Sequence, residues 1–264
     1  TAVVHGNELN GIPVIQRLFN KLNLKQLKGT IIGIPVVNIP SILLNKRTFI
    51  DGSDLNRIMP GKNDGNRSQI YAYRVLNRIV SQFDFLLDLH TASFGRVNSF
   101  YVRADLASKK AYELARLQNP QIILNAPAKD GTLRGAASNL GIDSITIEVG
   151  DPDRFQKDMI KSCLKGIFNT LSHLEMIKNR TGVLKDDVII CDSSYWIYTD
   201  RGGIIQVYPK VNQRVSQDEH IATVRNVFGQ VIKEYYAPES GVVIGKSTNP
   251  IGQTGSRIIH LGII

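Results

Sequence analysis

Phe85-Leu86-Leu87-Asp88-Leu89-His90 is an apolar run broken by one acid and closed by one imidazole. Six residues of this kind read as a strand buried on both faces, with Asp88 and His90, two apart, pointing the same way. Just before it, Ile70, Tyr73, Leu76, Ile79, Val80 and Phe83 recur at helical spacing. Further back, Thr30-Ile31-Ile32-Gly33-Ile34-Pro35-Val36-Val37 is β-branched and apolar, which predicts a central strand. Ile12, Ile15, Leu18, Phe19 and Leu22 predict a helix, and Ala2 to Val4 the end of another buried strand. Downstream, a helix is expected near 105–117, a strand at 121–124, a loop at 125–135 and a strand over Ser144-Ile145-Thr146-Ile147-Glu148-Val149. A helix near 152–177 is expected to bury Phe155, Met159, Cys163, Ile167 and Leu174. Strands alternating with helices predict an α/β fold, a sheet with helices on both faces. Ligands bind such sheets at the carboxyl ends of the strands.

Beyond about residue 180 the helical period disappears. Short β-rich runs punctuated by Gly, Pro, Asp and Asn follow, among them Val188-Ile189-Ile190, Trp196-Ile197-Tyr198, Gly203 to Val207, His220 to Val224, Gly241 to Ile244 and Arg257 to His260. These predict a small all-β sandwich or barrel domain over 181–264, after a first domain over 1–180.

The 264 residues suffice for a large core, and 42% hydrophobic with 21% charged residues is ordinary for a globular protein. No apolar run approaches the roughly 20 residues that span a bilayer, so no membrane partner is expected. No secretory signal pattern is present. Cys163 and Cys191 do not suggest a disulfide framework, and a buried thiol at Cys163 predicts a reducing, cytoplasmic setting. The formal charge of +9 is spread along the chain, with no basic run interleaved with aromatics. That pattern argues against nucleic acid and for a small anionic substrate.

The chemistry converges on three places. His5-Gly6-Asn7-Glu8 offers an imidazole and a carboxylate just after one strand, His90 ends a second, and Glu148 lies near the end of a third. Two His, one Glu and an open position for water make a catalytic zinc site, and a further Glu beside that water would be its base. Each residue also has a plain structural reading. His5 could be a turn histidine, Glu8 a carboxylate favoured by a helix N-terminus, and Asp88 with His90 a closed hydrogen-bond pair. Glu148 could be half of a salt bridge to an Arg at the core edge. The long loop 38–66 carries Arg47 and then Asp51-Gly52-Ser53-Asp54-Leu55-Asn56-Arg57-Ile58-Met59-Pro60-Gly61. Asp130-Gly131-Thr132-Leu133-Arg134-Gly135 brings a later Arg. Guanidinium forks suit carboxylates or a developing oxyanion, or they stitch a loop to its domain. His173, His220 and His260 have no metal partners at suggestive spacing and read as structural.

His-Gly-Asn-Glu, then Asp-Leu-Asn-Arg-x-x-Pro-Gly, Asp-Leu-His-Thr, Gly-Thr-Leu-Arg-Gly and Ile-Glu-Val-Gly-Asp-Pro occur in that order. The ordered set resembles the succinylglutamate desuccinylase/aspartoacylase family, relatives of the zinc carboxypeptidases. The resemblance implies a zinc-carboxypeptidase-like mixed sheet and one Zn2+ held by His5, Glu8 and His90. It implies Glu148 as the catalytic carboxylate, Arg47 as the residue polarising the scissile carbonyl, and Asn56, Arg57 and Arg134 as binders of substrate carboxylate. The activity it implies is hydrolysis of a small N-acyl amino acid or related compound. A peptide-cleaving metallocarboxypeptidase and a non-catalytic ligand-binding relative are the alternatives. Met59 stands where the family usually has Phe, an apolar exchange. The family also carries strands before the first His, so residues upstream of Thr1 are expected. The last segment looks like the biotinyl/lipoyl-type sandwich of this family. Its turn Arg225-Asn226-Val227-Phe228-Gly229 has no Lys for a carrier arm. A lid, a specificity wall or a contact within a homo-oligomer is the expected role.

Overall fold

The computed structural model describes residues 1–128, 131–178, 184 and 186–264. The boundary expected near 180 and Asp130 of the Gly-Thr-Leu-Arg motif lie outside them. The first sheet is mixed, in the order β1 (Phe85–His90), β5 (Asp143–Val149), β3 (Phe100–Ala104), β4 (Ile122–Asn125) and β6 (Ile189–Cys191). β1 runs parallel to β5, β3 antiparallel to β5, and β3, β4 and β6 run parallel to one another.

Helices cover both faces, as expected. α1 (Gly11–Lys21), α4 (Lys109–Leu117) and α6 (Lys157–His173) pack on the face carrying Leu89, Val102, Ile123, Ile145 and Ile147. Each buried Leu or Ile there contributes roughly 1.5–3 kcal/mol. α3 (Arg67–Arg78) and α5 (Leu133–Asn139) pack near Leu86 on the other face. α3 starts at a capping box. The Asn66 side chain accepts from Gln69 N, and the Gln69 side chain accepts from Asn66 N, each at 3.0 Å. A short helix, α2 (Ile39–Leu43), lies in the long loop.

The remaining strands form two antiparallel sheets. β11 (Val231–Tyr236), β10 (His220–Arg225), β8 (Gly203–Val207) and β13 (Ile251–Gly252) make one. β2 (Arg96–Asn98), β12 (Gly241–Ser247), β14 (Arg257–Ile263) and β7 (Ser193–Tyr198) make the other, with β9 (Arg214–Val215) beside β12. The all-β texture of the C-terminal segment is therefore present, but strands cross the division drawn near 180. β6 completes the first sheet, and β2 belongs to the second unit's sheet. Val242 and Ile244 of β12 pack on Tyr101, Ile122, Leu124 and Cys191. That sheet thereby covers the part of the face the helices leave open.

Thr30–Val37 is no central strand. It touches the sheet only at its edge, where Ala2 N donates to Ile34 O and Val37 N to Ala2 O, both at 2.9 Å. Pro35 lacks the N–H a ladder needs, and Ile32 is 54% exposed. The last long helix starts at Lys157, leaving Phe155 outside it and 63% exposed.

Pleating sets up the site. Cross-strand partners share a face, and His90 pairs with Glu148, Asp88 with Thr146, Tyr101 with Glu148 and Arg103 with Thr146. Six polar side chains thus form one patch across β1, β5 and β3, between the Leu86 cluster and the face that β12 covers.

Candidate metal centre and substrate pocket

His5 reaches this patch from the turn after Ala2, which makes a single parallel bridge to Leu89. Val3 adopts φ 54°, rare for a β-branched residue, and its carbonyl accepts from Asn38 N at 2.9 Å. Gly6 is needed for proximity rather than for a left-handed turn, since a Cβ there would strike Ser41. His5 and Glu8 lie in this turn, ahead of α1.

Glu8 sits between the two rings. Its Oε1 is 2.8 Å from His5 Nδ1 and its Oε2 is 2.8 Å from His90 Nδ1, while Thr91 N donates to Oε2 at 3.1 Å. The far nitrogen of each ring meets another carboxylate, His5 Nε2 at 3.0 Å from Asp54 Oδ1 and His90 Nε2 at 2.8 Å from Asp88 Oδ2. An ionised carboxylate only accepts, so it holds the proton on Nε2 and turns the Nδ1 lone pair inward. His5 Nδ1 is buried and, despite its closeness to Glu8, has no hydrogen-bond partner. Acceptors from His5, Glu8 and His90 all lie within 4.8 Å of one another. Such a cluster repels itself unless a proton or a cation sits among it, and the donor set fits a divalent cation.

The electrostatics agree. Burial alone would raise the Glu8 pKa, but the facing His5 and His90 rings outweigh it and hold the carboxyl well below its usual range. Burial disfavours a charged His90, yet Asp88 and Glu8 raise its pKa well above 6.5. Burial likewise opposes ionisation of Asp54, while His5 and Arg47 pull it down. Glu148 behaves oppositely. Burial raises its pKa and the Glu8 charge adds to this, against the pull of Arg103 and His90.

All eight residues singled out from the sequence line one cavity of about 760 Å3. Arg47 Nη1 donates to Glu8 Oε1 at 3.0 Å, and its Nη2 lies 3.1 Å from Asp54 Oδ2. Asn56 Oδ1 accepts from Leu133 N at 2.8 Å, and Met59 bridges Gly131, so the Asn56-Arg57 loop and the Arg134 helix form one wall. A larger cleft of about 920 Å3 beside residues 28–34 is mostly apolar and lies away from these groups.

The structure adds residues the sequence reading missed. Asn98 Nδ2 donates to Glu148 Oε2 at 3.3 Å, Arg103 Nε lies 3.5 Å from Glu148 Oε1, and Arg103 Nη2 donates to the Tyr101 hydroxyl at 2.7 Å. The Tyr-x-Arg alternation in Phe100–Ala104 is a period-2 signal that could have revealed two of them. His260, read as structural, does lie outside the metal cluster, but it lines the cavity, stacked on Trp196 at 5.0 Å. Burial, with Arg103, Arg257 and Arg96 nearby, keeps it neutral.

Comparison with known proteins fits this picture. The chain is 26% identical over 259 residues to an N-alpha-acetyl-L-2,4-diaminobutyric acid deacetylase of Halomonas elongata, covering 92% of this chain and 75% of that protein. It is 29% identical over 164 residues to a succinylglutamate desuccinylase of Pseudomonas paraeruginosa, covering 57% of this chain and 49% of that one. Among solved structures, the product-bound ectoine utilization protein EutE (DoeB) from Ruegeria pomeroyi superposes with a TM-score of 0.90 at 20% identity, covering 100% of this chain and 84% of that one. The model of the succinylglutamate desuccinylase/aspartoacylase catalytic domain matches residues 1–174, and the chain belongs to that family.

Proposed function

We propose that the protein is a zinc-dependent deacylase that hydrolyses the amide bond of a small N-acyl amino acid or related compound. The observation that carries this reading is the arrangement around Glu8, with two inward Nδ1 atoms each backed by a carboxylate and Glu148 one strand away. His5, Glu8 and His90 hold the ion. When bound, zinc lowers the pKa of a ligated water toward about 7 and polarises the acyl carbonyl. Glu148, whose burial raises its proton affinity, takes the proton of the attacking water and returns it to the leaving amine nitrogen. Arg47 donates to the oxygen that gains charge, a contribution of roughly 3–4 kcal/mol for a well-placed donor. Asn56, Arg57 and Arg134 orient the substrate through a carboxylate.

Small substrates are favoured over peptides because Trp196, Arg257 and His260 close one side of the cavity. We read the C-terminal sheets as a biotinyl/lipoyl-type sandwich serving as that wall, on a zinc-carboxypeptidase-like first sheet. The test is a panel of N-acyl amino acids against dipeptides, with and without a chelator. Metal-dependent release of an amino acid from the acyl compounds supports the reading. Turnover of dipeptides alone, or turnover indifferent to metal, rejects it.

A further inference from the structure

Three side chains beyond the eight singled out from the sequence converge on Glu148. Asn98 Nδ2 donates to its Oε2 at 3.3 Å, and Arg103 Nε lies 3.5 Å from its Oε1. Tyr101 is its Cα partner across β3 and β5, and the Tyr101 hydroxyl acts on the same carboxylate. Arg103 stands two residues beyond Tyr101 on the same face and pairs with Thr146, so it reaches Glu148 diagonally, leaning back along β3. Tyr101 braces that lean. Its hydroxyl accepts from Arg103 Nη2 at 2.7 Å, and the guanidinium carbon lies 5.2 Å from its ring centroid. Tyr101 is itself buried among Ile122, Leu124, Val242 and Ile244, so the brace is fixed in a packed cluster. Among the described residues, Glu148 is the one carboxylate within 4.0 Å of Arg103.

Glu148 needs such a frame. Holding a glutamate side chain in one pose costs roughly 1.5–2 kcal/mol of rotamer freedom, which its contacts must offset. A catalytic group misplaced by about 1 Å can cost about 10²-fold in rate. Asn98 holds one oxygen from β2 and Arg103 reaches the other from β3, so two neighbouring strands fix the direction of the carboxyl group. The Arg103 contact is the longer of the two, which leaves Oε1 the freer oxygen to accept from a water while the cation stays beside it. The alternative role for Arg103, a fork for a substrate carboxylate, fits worse. Nε and Nη2 make up one edge of the guanidinium, and both are already engaged, by Glu148 and by Tyr101.

We propose that Arg103, braced by Tyr101, is a positioning residue that aims the Glu148 carboxylate at the attacking water and does not itself grip the substrate. This rests on the deacylase reading for the presence of that water, but not for the coupling of Arg103 to Glu148. Removing the guanidinium then lowers turnover without weakening substrate binding, and the effect passes through Glu148 alone.

The experiment uses the zinc-loaded full chain with Arg103→Met, Arg103→Lys, Tyr101→Phe, Glu148→Gln and the double variant Arg103→Met with Glu148→Gln. Steady-state kinetics on one N-acyl amino acid should show kcat lowered about tenfold or more in Arg103→Met, with KM within about threefold of wild type and zinc still stoichiometric. Arg103→Lys, which keeps the charge, should recover part of the loss, and Tyr101→Phe should fall between it and the wild type. In the Glu148→Gln background, Arg103→Met should change kcat less than about twofold. The Tm change caused by Arg103→Met should also differ between the wild type and the Glu148→Gln background, whereas a packing role alone leaves it equal. Should Arg103→Met fail to fold, Tyr101→Phe decides by the same split of kcat from KM. A rise in KM with kcat unchanged, an equal kcat loss in the Glu148→Gln background, or equal Tm changes in both backgrounds overturns the proposal. If even the wild type cleaves no acyl compound while the Tm changes differ, the deacylase reading fails and the Arg103–Glu148 coupling stands.

Discussion

His90 and Glu148 are Cα partners in the parallel register of β1 and β5, so an imidazole of the candidate metal cluster and a buried carboxyl stand side by side on one sheet face. Neighbouring strands are about 4.8 Å apart, which keeps the two side chains close on that face. Glu148→Gln keeps shape and neighbours but cannot take a proton. It should retain stoichiometric zinc and lose about 10²–10⁴-fold in kcat, read by metal analysis beside steady-state rates. Normal turnover in that variant removes Glu148 from the chemistry.

Asp88 and Asp54 each fix one histidine by accepting from Nε2. Asp88→Asn and Asp54→Asn should each weaken zinc binding about 10–100-fold, measured by competition with a chromogenic chelator. Unchanged affinity in both would mean that the rings are oriented by other contacts.

Gly245 of β12 lies against Asn98, and a Cβ at Gly245 would strike the Asn98 side chain. Gly245→Ala should displace the donor to Glu148 and lower kcat at least tenfold, while overpacking costs about 1–3 kcal/mol of stability. Asn98→Ala should reproduce the kcat loss without a comparable stability loss. A kcat untouched in both separates the C-terminal sheet from the reacting centre.

The pH dependence has a defined sign. The Glu8 pKa is lowered from 4.5, so its contribution to stability is present above pH 4.5 and lost as pH falls through the lower folded value. The His90 pKa is raised above 6.5, so its contribution is full below pH 6.5 and lost as pH rises through the higher folded value. Chelator-treated protein should therefore melt highest between about pH 4.5 and 6.5. Zinc must displace the His90 proton, so the rise in Tm on adding zinc should grow as pH increases above 6.5. A zinc-induced Tm rise that shrinks with pH contradicts the proposed ligand set.

Much of this was legible where local pattern and burial agree. Phe85–His90 is a strand because both its faces are covered, and the apolar run says so. Thr30–Val37 is also largely apolar but lies at the sheet edge, and its Pro35 was the one local sign against a central place. Leu133–Asn139 is a helix that begins inside the loop expected over 125–135. Its Gly135, Ser138 and Asn139 are poor helix formers, and packing of Leu133 and Ala137 near Leu86 overrides them. β2 is three residues long and has no local signal, because its partner β12 lies about 150 residues on. Asn98 was hidden for that reason. The clustering of His5, Glu8 and His90 was readable because His90 ends β1 and the His5–Glu8 turn follows the Ala2 bridge beside it, where such folds gather their chemistry.

The central claim is a cation between His5, Glu8 and His90. Crystals grown with zinc and measured on both sides of its absorption edge test it directly. The account predicts one anomalous peak per chain, about 2.0–2.1 Å from His5 Nδ1 and His90 Nδ1 and about 2.0–2.2 Å from a Glu8 oxygen. A peak elsewhere, or none there at saturating zinc, contradicts it.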